Sequence, residues 1–176
     1  LYYQAAFGFE LVAYQGPETG VRDRTSYVLQ QNKIRLVLTS ALRPDHEIAR
    51  HVAHHGDGVK VLTLWVDDAT KAYNTAIARG AQSAFEPIRL TDAHGEVVMA
   101  SVKTYGDTIH TLVERKNYKG AFMPGYEARK SVYPVKSVGL LYVDHCVGNV
   151  ELGDMNKWVK FYQDVMGFKL LITFDD

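Results

Sequence analysis

The chain has 176 residues, of which 47% are hydrophobic and 23% are charged, and its twenty basic residues balance twenty acidic ones. This balance excludes a strongly charged nucleic-acid-binding or membrane-surface protein, and the composition is that of an ordinary globular protein. No apolar run reaches the roughly 18 residues that span a bilayer. The single cysteine, Cys146, excludes an internal disulfide and favours a reducing compartment, so we expect a cytoplasmic location.

The first forty residues predict a helical remnant followed by short strands. Alternating apolar and polar residues predict three strands, at 9–15, 25–31 and 33–39. The last two strands form a hairpin around Asn32. Pro44 is permitted in the first turn of a helix, so we expect a helix to begin there and to end at Gly56.

A complete strand–helix unit follows from residue 59. A strand at 59–66 leads to Asp67 or Asp68, either of which can cap a helix that ends at Gly80. Three more strands are predicted, at 82–87, 96–104 and 108–114. The order β-α-β-β-β predicts an α+β fold of paired modules, which form curved, barrel-like mixed sheets with the helices outside. Two such modules side by side close a cup suited to a ligand.

The last third of the chain opens with a stretch of irregular composition and then predicts a strand, a helix and another strand. Residues 116–137 have neither helical nor strand periodicity, and we interpret them as a linker. Residues 138–147 are rich in β-branched, aromatic and aliphatic types and predict a buried strand. An amphipathic helix is expected over residues 154–166, with Asp154 as N-cap, and a final strand over residues 168–174.

Three polar residues fall near the carboxyl end of the predicted strand at 138–147. Side chains alternate between the faces of a strand, so His145 is expected among apolar neighbours on one face. Asp144 is expected on the opposite face, in a structural hydrogen bond. Cys146 has no histidine partner on its own face, and we interpret it as a small buried residue rather than a nucleophile.

An internal repeat relates the two ends of the chain. The residues Tyr-Gln, Gly-Phe and Leu recur at a constant offset of 159: Tyr3, Gln4, Gly8, Phe9 and Leu11 match Tyr162, Gln163, Gly167, Phe168 and Leu170. An offset of this size indicates a duplicated domain. The chain is therefore expected to begin partway through one copy and to end partway through the next. We predict an amino-terminal domain at 1–115, a linker at 116–137 and the start of a second domain at 138–176.

The segment Val143–Val150, followed by Trp158 and Phe161–Phe168, resembles the 4-hydroxyphenylpyruvate dioxygenase family of the vicinal oxygen chelate superfamily. Supporting stretches are His55–Val59 with the strand after it, Arg79–Ala81 and Pro124–Tyr126, and the similarity covers essentially the whole chain. The resemblance implies two domains of two modules each. It also implies a metal-free first domain and a second domain that binds Fe(II) through two histidines and one glutamate. Such a triad leaves one face of the ion open to an α-keto acid and O₂.

The resemblance implies an enzyme that converts 4-hydroxyphenylpyruvate and O₂ to homogentisate and CO₂ in tyrosine catabolism. His145 matches the family's first histidine ligand, and Val147 matches a position lining the substrate pocket. In the family the other two ligands lie beyond the last residue of this chain. The 176 residues alone are therefore expected to be inactive, whereas a longer chain is expected to be the dioxygenase. Exposed sheet edges favour a homo-oligomer.

Two other functions are consistent with the sequence. A 4-hydroxymandelate synthase has the same fold and substrate, and a metal-free binding module of the superfamily would suit residues 1–114. A zinc-protease site is excluded because His46 and His51 are five residues apart rather than four. His51 can share a helix face with His54 or His55, but we interpret these three as surface histidines.

Overall fold

The computed structural model describes residues 1–172. In chain order its α-helices and strands are α1 (Tyr2–Phe7), β1 (Glu10–Gln15), β2 (Arg24–Gln31), β3 (Ile34–Ala41), α2 (Glu47–His55), β4 (Val61–Trp65), α3 (Ala69–Ala78), β5 (Ser83–Asp92), β6 (Gly95–Lys103), β7 (Ile109–Glu114), β8 (Glu127–Ala128) and α4 (Met155–Asp164), with a short 3-10 helix at Pro17–Thr19. Within residues 1–172, no helix combines the length and apolar character needed to cross a membrane.

The chain divides into two compact units. The first unit comprises Leu1–Gly58, Asp92–Gly95 and Tyr118–Cys146, and the second comprises Val59–Thr91, Glu96–Asn117 and the part from Val147 onward.

The first unit contains a four-stranded antiparallel sheet in the order β3-β2-β1-β8. The β2–β3 hairpin turns at Asn32, whose φ of 50° lies in the left-handed region that asparagine tolerates. A bulge between Leu11 and Ala13 shifts the register of β1 against β2. A small apolar core forms on this sheet from Phe9, Leu29 and Ile34. The predicted hairpin is therefore confirmed.

The second unit contains the sheet β4-β7-β6-β5, in which β4 and β7 are parallel and β6 and β7 are antiparallel. The predicted order β-α-β-β-β is thus confirmed. Helices α3 and α4 pack on this sheet around a core formed by Tyr73, Ala76, Ala81, Ala100, Val102, Leu112 and Val165. The carboxylate of Asp68 accepts a hydrogen bond from the N–H of Lys71 at 2.8 Å, which caps α3 as predicted.

The two ends of the chain that share the repeat have the same local structure. Gly8 follows α1 with φ 70°, and Gly167 follows α4 with φ 74°. The N–H of Phe9 donates to the carbonyl of Tyr3 at 3.1 Å, and the N–H of Phe168 donates to that of Tyr162 at 2.8 Å. Both bonds join residues six positions apart, at the same offset of 159 residues, and in both places a glycine in the left-handed conformation follows the helix.

Several predicted boundaries are wrong. Helix α2 begins at Glu47 rather than Pro44, because the Nδ1 of His46 accepts a hydrogen bond from the N–H of Ile48 and so caps the helix. Strand β5 continues to Asp92, past the predicted end at Pro87. Strand β8 lies inside the stretch interpreted as a linker, where it pairs with Ala13 and Tyr14 of β1.

The strands predicted at the end of the chain are also not observed. Residues 138–147 are not in a strand, and neither are residues 168–172. Residues 173 and 174 of the second prediction lie outside the described residues. A strand forms where a neighbour accepts and donates its main-chain hydrogen bonds. Within the described part of the chain, no strand pairs with either segment.

Candidate metal centre

The segment around His145 lies on the surface of the first unit and is attached to the turn between β2 and β3. The N–H of Lys33 donates to the carbonyl of Leu141 at 2.9 Å, and the Nδ2 of Asn32 donates to the carbonyl of Leu140 at 2.6 Å. Gln31 adds a third attachment, because its Oε1 accepts from the N–H of Leu140 at 2.9 Å. These bonds fix the start of the segment that carries the candidate ligand.

His145 and Asp144 form a hydrogen-bonded pair rather than pointing to opposite faces. The Nδ1 of His145 lies 2.7 Å from the Oδ2 of Asp144. An ionised carboxylate only accepts, so Nδ1 carries the proton, and in the neutral ring Nε2 is the nitrogen with the free lone pair. The prediction that Asp144 points away from His145 is therefore wrong.

This pair has the arrangement in which proteins present histidine to a metal. A carboxylate on one ring nitrogen fixes the tautomer and orientation, and it leaves the other nitrogen as the ligand. The side chains of His145 and Asp144 are 73% and 78% exposed, so Nε2 is accessible. The residues present fit a metal ligand, although the prediction of apolar neighbours around His145 is wrong.

The other predicted residues of this segment are exposed. Val147, expected to line a substrate pocket, is 80% exposed. Cys146 is exposed, so the prediction of a small buried residue is wrong. The burial expected of both residues depended on a strand within a sheet, and residues 138–147 lack that sheet environment. The proposed roles of His145 and Val147 stay predictions.

A partly buried polar pair in the second unit was not predicted from the sequence. The Nε2 of His110, on β7, lies 2.9 Å from the Oη of Tyr162, on α4. The other ring nitrogen, Nδ1, lies 3.4 Å from the carbonyl oxygen of Leu62. Burial lowers the pKa of His110 below its ordinary 6.5 and raises the pKa of Tyr162 to about 12.

These shifts favour the neutral form of both groups. Nδ1–H of His110 then donates to Leu62, and the hydroxyl of Tyr162 donates to Nε2. The pair connects α4 to the sheet. The two residues are 52 positions apart, so no local sequence signal could have revealed their contact.

Along the chain the second unit runs β4-α3-β5-β6-β7, and its first and last strands, β4 and β7, are parallel neighbours in the sheet. This arrangement is that of a glyoxalase-like protein of the vicinal oxygen chelate class. The structure of a methylmalonyl-CoA epimerase variant from Streptomyces coelicolor has this fold and covers 64% of this chain with a TM-score of 0.53. The identity is 18%, so this likeness concerns the fold alone.

Within this class, the chain belongs to the hydroxyphenylpyruvate dioxygenase family. The family described as "Hydroxyphenylpyruvate dioxygenase, HPPD, N-terminal" matches residues 4–136. The resemblance predicted from the sequence is therefore confirmed.

The curated relatives extend this likeness along almost the whole chain. The 4-hydroxyphenylpyruvate dioxygenase of Caenorhabditis elegans is 41% identical over 180 residues, which cover 99% of this chain and 46% of that protein. That of Yarrowia lipolytica is 38% identical over 184 residues, with 99% and 47% covered. This chain thus spans about half the length of these relatives.

One solved structure also matches almost the whole chain. A triple mutant of 4-hydroxymandelate synthase from Streptomyces coelicolor is 30% identical and superimposes with a TM-score of 0.74. The match covers 94% of this chain and 47% of the synthase.

Proposed function

We propose that this chain is the amino-terminal part of a 4-hydroxyphenylpyruvate dioxygenase. The complete enzyme converts 4-hydroxyphenylpyruvate and O₂ to homogentisate and CO₂ in tyrosine catabolism. The observation that carries the proposal is the alignment of 99% of the chain with relatives of that name at 38–41% identity. The metal-free binding module has no comparable support among the relatives.

Fe(II) is the metal of this proposal, and His145 is its ligand within this chain. The Nε2 of His145 binds the ion, and the carboxylate of Asp144 holds the proton on Nδ1 and fixes the ring. Val147 lines the pocket for the substrate. Bound iron supplies the centre at which the keto acid and O₂ react. In the proposed enzyme a second histidine and a glutamate complete the ligand set.

The domain division of the proposed enzyme follows the repeat. Residues 1–115 are the metal-free domain, 116–137 the linker, and 138–176 the beginning of the iron-binding domain. The matching helix ends at Gly8 and Gly167 support this duplication. A cytoplasmic location, proposed from the single Cys146, accompanies this assignment. Self-association is proposed because β3 and β4 are each the edge strand of a sheet.

The test uses the full-length protein that contains this chain, loaded with Fe(II). We expect 4-hydroxyphenylpyruvate to drive O₂ uptake and homogentisate to form in equal amount. The variant His145→Ala should lose turnover and bind Fe(II) much more weakly while still unfolding cooperatively. His94→Ala, which removes another exposed imidazole from the β5–β6 turn, is the matched control and should keep both properties. Turnover near wild type in His145→Ala would contradict the ligand assignment.

The likeness to 4-hydroxymandelate synthase supports a second candidate, which takes the same substrate and hydroxylates its side chain. The same assay decides between them, because chromatography separates homogentisate from 4-hydroxymandelate. Hydroxymandelate as the product would replace the dioxygenase proposal with the synthase.

A further inference from the structure

Helix α2 carries three histidines in its last turns that the proposed function does not use. They are His51, His54 and His55, and the helix ends at Gly56. Residues four apart lie on one helix face, whereas adjacent residues point about 100° apart. Residues three apart, such as His51 and His54, can also share a face, but the ring contact observed for His51 is with His55.

The structure brings these two imidazoles together. The ring centroids of His51 and His55 are 4.6 Å apart, with a tilt of 43° between the ring planes. A ring nitrogen of one lies within 4.8 Å of a ring nitrogen of the other. Two nitrogens that bind one ion at about 2.0–2.1 Å stand roughly 3.0–3.4 Å apart. The two nitrogens would have to approach by at most about 1.8 Å to reach this separation, and the side chain of His55 is exposed.

The position on the helix also favours a cation. Carbonyl groups are unpaired at the carboxyl end of a helix, which therefore carries a partial negative charge. The other cationic side chain of α2 is directed elsewhere, because the Nη1 of Arg50 donates to the carbonyl of Asp45 at 2.6 Å. The ring of His54 meets that of His55 edge-on, at 80° between the ring planes.

We propose that His51 and His55 form a surface site for a transition-metal ion, separate from the iron site that His145 would serve. Imidazole nitrogen suits Cu(II), Ni(II) and Zn(II), and the Irving–Williams order makes Cu(II) the tightest of the three. Water completes the coordination of the exposed ion. The site is independent of the dioxygenase proposal, because none of its residues belongs to the catalytic machinery described above.

Cu(II) and Ni(II) titrations of the full-length protein, followed by calorimetry, test the site with three variants on the same turn of helix. His51→Gln and His55→Gln each leave one imidazole of the pair and should weaken binding about tenfold or more. In the wild type the second imidazole is held next to the ion that the first one binds, and each variant loses this chelate effect. His54→Gln is the matched control and should bind both ions as the wild type does. Glutamine preserves helix propensity, and thermal unfolding verifies that each variant stays folded.

Two further readouts make the result specific to a two-imidazole chelate. Mildly acidic buffer should weaken binding to the wild type more steeply than to His51→Gln, because protons compete for two nitrogens instead of one. The Cu(II) electron paramagnetic resonance spectrum should lose one nitrogen coupling in His51→Gln or His55→Gln. The proposal is overturned if both variants bind Cu(II) and Ni(II) as the wild type does. It is equally overturned if His54→Gln weakens Cu(II) and Ni(II) binding and His55→Gln does not.

Discussion

The bond between His110 and Tyr162 gives a direct test of how α4 is held on the sheet of the second unit. The variant Tyr162→Phe removes the hydroxyl and keeps the aromatic ring, which lies 5.4 Å from Phe161 and 5.6 Å from Phe168 between centroids. The side chain of His110 is only 5% exposed, so its Nε2 would lose its donor in a buried setting. An unsatisfied buried acceptor costs about 1–3 kcal/mol.

Urea unfolding followed by circular dichroism measures this cost. With a slope of about 1–3 kcal/mol per molar urea, a loss of about 2 kcal/mol lowers the midpoint by roughly 1 M. The control is Tyr142→Phe, since Tyr142 is 60% exposed and its substitution should change stability by less than about 0.5 kcal/mol. If Tyr162→Phe unfolds at the same urea concentration as the control, the hydrogen bond does not hold α4.

The same pair predicts a dependence of stability on pH. Burial lowers the pKa of His110 in the folded chain below the 6.5 of the unfolded one, so the unfolded state binds more protons in acid. The contribution of neutral His110 is complete above about pH 6.5 and is lost as the pH falls below that value. The wild type should therefore lose more stability between pH 7 and pH 5 than His110→Gln does. Equal losses would refute neutral burial of His110.

Two matched pairs of substitutions test other features of the fold, and one further substitution tests the proposed site. Gly8→Ala should destabilise more than Gly167→Ala, because both glycines have positive φ but a Cβ at Gly8 would lie only 2.3 Å from the carbonyl oxygen of Lys136. Urea midpoints compare the two. Asp68→Ala should cost about 1 kcal/mol, and Asp154→Ala less, because only Asp68 accepts a capping hydrogen bond. Asp144→Asn should weaken Fe(II) binding to the full-length protein about 10–100-fold by disturbing the orientation of His145, as equilibrium dialysis would measure.

Elements whose partners are close in sequence were predictable. The β2–β3 hairpin needs only the turn at Asn32, and α3 needs only its apolar stripe and the cap at Asp68. The β-α-β-β-β order followed from the local pattern of each element, although the parallel pair β4 and β7 joins residues 48 positions apart, such as Val61 and Ile109. Local hydrogen bonding and burial pattern therefore determined most of the fold of the first 114 residues.

The prediction of a strand at residues 138–147 failed because the segment has no neighbouring strand among the described residues 1–172. Its composition suits a buried strand, but composition does not supply the neighbouring strand that the main-chain groups require. The expected burial of Cys146 failed with it. The pairing of Asp144 with His145 was missed because the prediction assumed that side chains alternate as they do in a strand.

The repeat shows where local sequence stops determining structure. Tyr3 and Tyr162 occupy equivalent positions in α1 and α4, and the carbonyl of each accepts the same capping bond from a phenylalanine six residues later. Their side chains nevertheless differ: Tyr3 is 37% exposed among aromatic neighbours, whereas Tyr162 binds the buried His110. The shared residues thus specify how the helix ends. The role of the tyrosine is specified by the surface on which the helix packs, so equivalent positions of a sequence repeat need not have equivalent roles.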